Sequence, residues 1–486
     1  MSTNAEIRLL NIIKEELGAR IFPALEPGMA QQMAMCSQRI LSYVLANLRQ
    51  FPTLLNIAVE SYKELLGTLK PLLQGTEQAP LLATLEAELN GRHDHEQIEA
   101  LLQSICAVLA QQPQNPAAVA AVKAIIGIES RLQSAFLKAC EEEVNSTPKP
   151  AANQSATSNA ALTDAQVAQL QAWMRATFPG EDALEISGIK LIPGGFSKHT
   201  IFVFLNHAQT LPSTVVVRLD WAGSAIGSTV VDEYQIIKTL FEAGVRVPQP
   251  YALESSGSVL GGPFLLVSKA EGVNVGDPLE VRQGSKKIAL DLAQAMAKLH
   301  SVPAAAFGDG VAGAKESTRD RLLVDIQKME GDWRAINQTS VTMEVAFAWL
   351  KQHIELADGP RTLIHKDIGC HNFLVVDDAI TVILDWETAS IGNPAQDLGY
   401  AYPMVMQMCD WSEFMAAYTA AGGANTSQAQ VDFYTLWGFV WTNTLAMRSR
   451  HNFLSGAIND IRKGLVGSYL FTRTEARLKE KLHALM

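Results

Sequence analysis

The sequence predicts an α+β chain built in two unlike parts. An all-α helical bundle comes first, and a two-lobed unit follows, with a small β-rich N-lobe and a larger helical C-lobe. Three observations predict this. Apolar residues recur at three- and four-residue steps through the first 145 positions. Residues 145–161, NSTPKPAANQSATSNAA, then carry no large apolar side chain. Beyond them, short alternating runs rich in β-branched residues give way to long helical stretches.

In the N-terminal part, Met33, Cys36, Ile40, Val44 and Leu48 read as one core stripe, and Ile98, Leu101, Ile105 and Leu109 as another. Pro27-Gly28, Pro52, Asn90-Gly91 and Asn115-Pro116 punctuate the helices. His93 and His95 flank Asp94 in a solvated loop rather than a metal site. Residues 1–145 contain no catalytic constellation and read as a docking or dimerisation domain. Residues 146–162 cannot offset their ordering entropy by burial and read as a flexible linker. A chain so divided predicts that residues 163–486 stay soluble without the first 145.

The second part opens with a helix over 164–177. The runs LEISGIKLI, TIFVFL and TVVVRLD predict three strands, a helix follows over 229–243, and PYALES and PFLLVSKA predict two more strands. The N-lobe therefore spans about 184–270. The C-lobe, 271–486, is helical except for a strand-rich stretch at 362–386.

Composition narrows the function. Net charge is −11, and no basic stripe suits a nucleic acid or an anionic membrane surface. The five cysteines are odd in number, widely spaced and free of CxxC pairs, so they read as reduced thiols of a cytoplasmic protein rather than zinc ligands or disulfides. The N-terminus lacks the basic and apolar regions of a signal peptide, and no apolar run is long enough to span a bilayer.

The chemistry concentrates in TLIHKDIGCHNFLVVDDAITVILDWE. His365, Asp367 and Asn372 give H-x-D-x-x-x-x-N, and Asp385 ends the apolar run that follows. Phosphoryl transfer needs a carboxylate beside the attacking hydroxyl and hard oxygen ligands for Mg²⁺. Asp367 is the candidate catalytic base, Asn372 and Asp385 are the candidate metal ligands, and His365 braces the loop. In the N-lobe, the turn PGGFSKH offers Gly194, Gly195 and Ser197 for phosphate oxygens. Arg218 stands on the third strand where kinases place a phosphate-pairing lysine, with Glu233 on the next helix as its partner. Backbone groups at about Ser268 to Ala270, after the fifth strand, would meet adenine.

On these motifs, residues about 184–455 resemble the aminoglycoside phosphotransferase-like kinases, a family that also includes choline, homoserine and hydroxyacyl-CoA kinases. The family reads HGDLHPGN, a strand ending IDWE, then DPxxDLA; here stand HKDIGCHN, ILDWE and GNPAQDLGY. The resemblance implies a protein-kinase-like fold, with ATP or GTP as donor and Mg²⁺ as cofactor. It also implies that Asp397 steadies the C-lobe loops. Lys366 and His371 replace family glycines, Gly369 a histidine, and Arg218 a lysine, which differs in shape and donors.

The implied activity is phosphate transfer to a small-molecule hydroxyl, with a hydroxyacyl-CoA or related metabolite as the preferred acceptor. The alternatives are a catalytically weak nucleotide-binding scaffold and an antibiotic kinase of the aminoglycoside type. Helices at about 316–358 and 411–460 are expected to wall the acceptor pocket. Trp437 and Trp441 read as core, while Arg448 and Arg450 on the same helix are candidates to meet an anionic acceptor. A homodimer or a protein partner would use the N-terminal helices.

Overall fold

The computed structural model describes residues 4–25, 29–91, 94–146, 162–192, 198–220, 229–308 and 310–486. The expected linker at 146–162 lies almost wholly outside them, as do Gly194, Gly195, Ser197 and His93.

Helix α1 (Asn4–Glu16) leads through a π-helical turn and the short α2 (Phe22–Ala24) into the 45-residue α3 (Met29–Leu73). Then come α4 (Ala79–Asn90), α5 (His95–Leu109) and α6 (Pro116–Asn145). Asn115 caps α6 by accepting from the amides of Ala117 and Ala118, with Pro116 in the first turn where its missing N–H costs nothing. Pro52, read as a break, lies inside α3. Packing of Ala58, Val59 and Tyr62 into the core outweighs the lost backbone bond there. The buried face of α3 only partly follows the predicted stripe: Cys36 of that stripe is buried, but so are Tyr43 and Ala46, while Met33 and Val44 are exposed.

Helix α7 (Asp164–Thr177) starts with a capping box between Thr163 and Gln166. Five strands follow: β1 (Glu185–Ile192), β2 (Lys198–Asn206), β3 (Thr214–Asp220), β4 (Pro250–Glu254) and β5 (Phe264–Ser268), with α8 (Val230–Glu242) between β3 and β4. They form one antiparallel sheet in the order β1-β2-β3-β5-β4. Because strand side chains alternate, Val215, Val217 and Leu219 pack toward α7 on one face. Val216, Leu265 and Val267 pack toward α8 and the C-lobe on the other. Arg218 shares the parity of Val216 and faces the cleft.

The C-lobe comprises α9 (Lys286–His300), α10 (Thr318–Ile336) and α11 (Val341–Gln352), then the pairs β6 (Thr362–Ile364) with β9 (Ser390–Gly392) and β7 (Phe373–Val376) with β8 (Ala379–Ile383). It ends with α12 (Ala395–Val405), α13 (Trp411–Ala420), α14 (Gln428–Leu454), α15 (Ile461–Leu465) and α16 (Phe471–Leu485). Asp377 and Asp378 both take positive φ, as a two-residue hairpin between β7 and β8 demands.

The N-terminal helices and the C-lobe share a hydrophobic core. Leu69, Leu85, Ile105 and Ile125 belong to the same buried cluster as Phe347, Trp437, Leu478 and Leu482. Polar bonds cross the contact too: Gln133 donates to Thr472 O at 3.0 Å, and Gln103 accepts from the Ser340 amide at 2.9 Å. Removing residues 1–145 would strip one side of that cluster, which argues against the expectation that residues 163–486 remain soluble alone. No helix among the described residues is long and apolar enough to cross a membrane.

Candidate active site

The catalytic-loop candidates sit between β6 and β7, in a segment held from below by one buried carboxylate. Asp397, at the start of α12, accepts from the backbone amides of His365 at 2.8 Å and Lys366 at 2.7 Å, and meets His300 Nε2 at 3.1 Å. Burial pushes this carboxyl up, but those partners outweigh it and hold it below the usual carboxylate range. Lys366 takes φ +70°, a conformation suited to the glycine it replaces. Its amine turns away from Asp367, to Asp325 of α10 at 3.5 Å.

His365 spans the loop as the sequence led us to expect. Its Nδ1 accepts from the Asp367 amide at 3.2 Å, so its Nε2 carries the hydrogen donated to Leu384 O at 2.8 Å. This ties the loop to the residue before Asp385.

The carboxylate of Asp367 is closely partnered. Oδ1 accepts from the Tyr400 hydroxyl, and Oδ2 from Asn372 Nδ2 at 2.9 Å and His371 Nε2 at 3.3 Å. Burial raises its pKa, but His371 and Tyr400 outweigh that and keep it ionised. Asn372 also donates to Asp367 O at 2.9 Å, which leaves its Oδ1 for another partner. Its own carbonyl accepts from the Leu384 amide at 2.7 Å, so the β7–β8 pairing brings Asn372 beside the residue preceding Asp385.

Across the cleft, Arg218 Nη2 lies 3.0 Å from Asp385 Oδ1 and 3.5 Å from Glu233 Oε2. Glu233 has a closer cation that the sequence reading missed. Lys198 Nζ is 2.6 Å from Glu233 Oε1 and 2.9 Å from Glu387 Oε2. Burial opposes the lysine's charge, but the two carboxylates outweigh it and raise its pKa. The signal was present in parity: Lys198 lies four residues before Phe202 on β2, and both face the cleft side of the sheet. Oxygen atoms of Glu233, Asp385 and Glu387 all fall within 4.8 Å of one another, a hard donor set that fits Mg²⁺. Asp385 adopts φ +66°, which turns its half-exposed carboxylate out of the β8 line.

The structure thus groups Asp367 and Asn372 with His371 and Tyr400, and Arg218, Glu233 and Asp385 with Lys198 and Glu387, the two groups meeting through the backbone of Leu384, next to Asp385. Of the hinge candidates, Ser268 gives its N–H to Gln249 O at 2.9 Å. Among the described residues nothing accepts from the Ala270 amide. Gly194, Gly195 and Ser197 lie outside those residues. Arg448 pairs with Asp332 of α10 at 3.2 Å.

Comparison with known proteins agrees with this arrangement. Residues 188–434, just over half the chain, match the APH phosphotransferase enzyme family. Acyl-CoA dehydrogenase family member 10 of Mus musculus is 27% identical over 241 residues, covering 46% of this chain and 22% of that protein. Acyl-CoA dehydrogenase family member 11 of Gallus gallus is 31% identical over 173 residues, 35% of this chain and 22% of that protein. The chain therefore spans about a fifth of the length of these two relatives. A Ralstonia eutropha JMP134 crystal structure, described as that of an aminoglycoside phosphotransferase, superposes with a TM-score of 0.50 at 19% identity. It covers 65% of this chain and 98% of that one. A β-rich lobe over a helical lobe, the Asp367–Asn372–Asp385 loop and strand end between them, and the family match across both lobes place this chain in the phosphotransferase enzyme family.

Proposed function

We propose that the chain transfers the γ-phosphate of a Mg²⁺-bound ATP or GTP to the hydroxyl of a small molecule. The observation that carries this reading is the bonding of Asp367. An ionised carboxylate accepts at about four lone-pair sites, and three donors are already in place. The free site is on Oδ1, beside Tyr400. An acceptor hydroxyl donating there is aligned for attack, and Oδ1 takes its proton as the bond to phosphorus forms.

Asn372 Oδ1 and the Asp385 carboxylate would hold Mg²⁺, with Glu387 close by. The metal supplies neutralisation of phosphate charge when bound. Arg218 now meets the charge of Asp385. With Asp385 turned to hold Mg²⁺, the Arg218 guanidinium would be free to donate to phosphate oxygens. Lys198 keeps Glu233 paired meanwhile. The Ala270 amide, which has no acceptor among the described residues, supports the adenine-facing reading of the hinge. The acyl-CoA names of the relatives support a hydroxyacyl-CoA or related metabolite as the finer choice of acceptor.

The test is Asp367→Asn in the full chain. Acceptor-dependent ADP or GDP release should fall by roughly 10²- to 10⁴-fold, while Mg-nucleotide affinity by calorimetry stays near wild type. A variant that keeps its turnover would favour the scaffold reading instead.

A further inference from the structure

A small cavity of ≈ 50 Å³, open to solvent, is lined by Tyr400. Gly369, Cys370 and Tyr400 form its inner end, and Phe439 of α14 and Leu470 supply apolar wall. Asp367 does not itself line the cavity, but Tyr400, which does, donates its hydroxyl to Asp367 Oδ1, so an acceptor held in the cavity would reach that oxygen alongside Tyr400. This inference rests on the phosphotransfer reading above and extends it to the acceptor.

Arg477 of α16 also lines the cavity, outside the stretch that matches the family. Its Nη2 donates to Leu279 O at 2.6 Å, and among the described residues no carboxylate lies within ion-pair distance of it. Of the neighbouring charges, Glu480 on the same helix is exposed and screened by water, while Arg473 and Asp277 are engaged elsewhere. Arg473 pairs with Glu141 and the Tyr43 hydroxyl. Asp277, also on the cavity wall, holds Arg282 at 2.7 Å and accepts from the amides of Leu279 and Glu280. Glu280 is exposed, where water screens it. Burial first, and the charge of Arg473 second, lower the pKa of Arg477. A half-buried guanidinium placed so gains most from an anionic ligand, because its planar fork has donors left over.

We propose that Arg477 selects the acceptor by binding an oxyanion that the acceptor carries. The substrate class is then a hydroxylated anion with an apolar body, its hydroxyl at Asp367 and its carboxylate or phosphate at Arg477. A free hydroxy acid supplies the carboxylate, and a CoA thioester supplies phosphates instead.

The experiment measures nucleotide-diphosphate release by the full-length protein with four acceptors: a medium-chain hydroxy acid, its CoA thioester, its neutral methyl ester and an amino alcohol. Wild type should prefer the acid or the thioester, and the preferred one identifies the source of the anion. Arg477→Gln keeps a donor for Leu279 O. It should raise KM for the anionic acceptor by roughly 10- to 100-fold, the loss expected for a charge-assisted hydrogen bond. Its kcat should change little, and its turnover of the methyl ester should match wild type. Arg477→Lys should recover part of the KM. An unchanged KM in Arg477→Gln, or preference for the amino alcohol, overturns the assignment of Arg477 and leaves phosphotransfer standing. No turnover of any acceptor by wild type overturns both.

Discussion

Two cations share one buried glutamate at the centre of the cleft. Lys198 and Arg218 both reach Glu233, and each also holds a second carboxylate, Glu387 or Asp385. Removing one member of a buried ionic group leaves charge without compensation. Lys198→Met should therefore destabilise the fold by about 2–4 kcal/mol, read from chemical denaturation, and should draw Arg218 off Asp385. A loss below about 0.5 kcal/mol would mean that Arg218 alone satisfies Glu233. A half-buried acid, Glu99, offers a pH test. Burial and then the charge of Glu129 raise the Glu99 carboxyl to about 8. The unfolded chain ionises this group near its ordinary value of 4.5. Between those two pH values the folded state holds the extra proton, so stability falls as pH rises through the window. Glu99→Gln removes the penalty. Its advantage over wild type should grow from near zero below pH 4.5 to about 1–3 kcal/mol above pH 8, visible in melting curves across pH. The acids of the catalytic loop were legible in sequence because a short loop and one hairpin fix their spacing. Lys198 and Tyr400 were not. The first gains its role only when β2 pairs with β3, and the second when α12 folds back 33 residues later onto Asp367.

At the scale of elements, α8 delivers Glu233 to the cleft. Its first turn is fixed by Thr229, whose hydroxyl accepts from the Asp232 amide while Asp232 bonds back to the Thr229 amide at 3.0 Å. Thr229→Ala should cost about 1 kcal/mol. It should also weaken Mg-nucleotide binding, since fraying here loosens Glu233. A loss of stability with binding intact would show that the strand contacts alone position the helix. The five N-lobe strands and α8 were readable from alternation and capping, because local pattern and global burial agree there. In α3 they conflict. Pro52 argues for a break and the spacing favours the Met33–Val44 face, yet contact with α6 carries the helix through Pro52 and buries Tyr43 and Ala46 instead. Tertiary packing settles such conflicts, and no window of sequence contains the partner helix.

On the scale of the whole molecule, the N-terminal helices complete the C-lobe core instead of hanging from it. A fragment of residues 163–486 should expose the apolar faces of α11 and α16 that Ile105 and Ile125 now cover. Light scattering should find it aggregated, or strongly bound to a hydrophobic dye. A monodisperse fragment with wild-type melting would refute the shared core. Composition marks a polar stretch after residue 145, but no composition argument reveals which helices pack against each other across such a stretch.

The wall behind Tyr400 has one further consequence. Its outer side is α16, which α6 braces through Gln133 on Thr472 and Glu129 on Lys479, whereas the phosphate-handling groups all lie within residues 188–434. If Arg477 reads the acceptor as proposed, drift in the last twenty residues, or in the buttress under them, would change acceptor preference without touching the Asp367 loop. Related chains that keep the Asp367 loop but carry a different final helix should then differ in the acceptor they prefer.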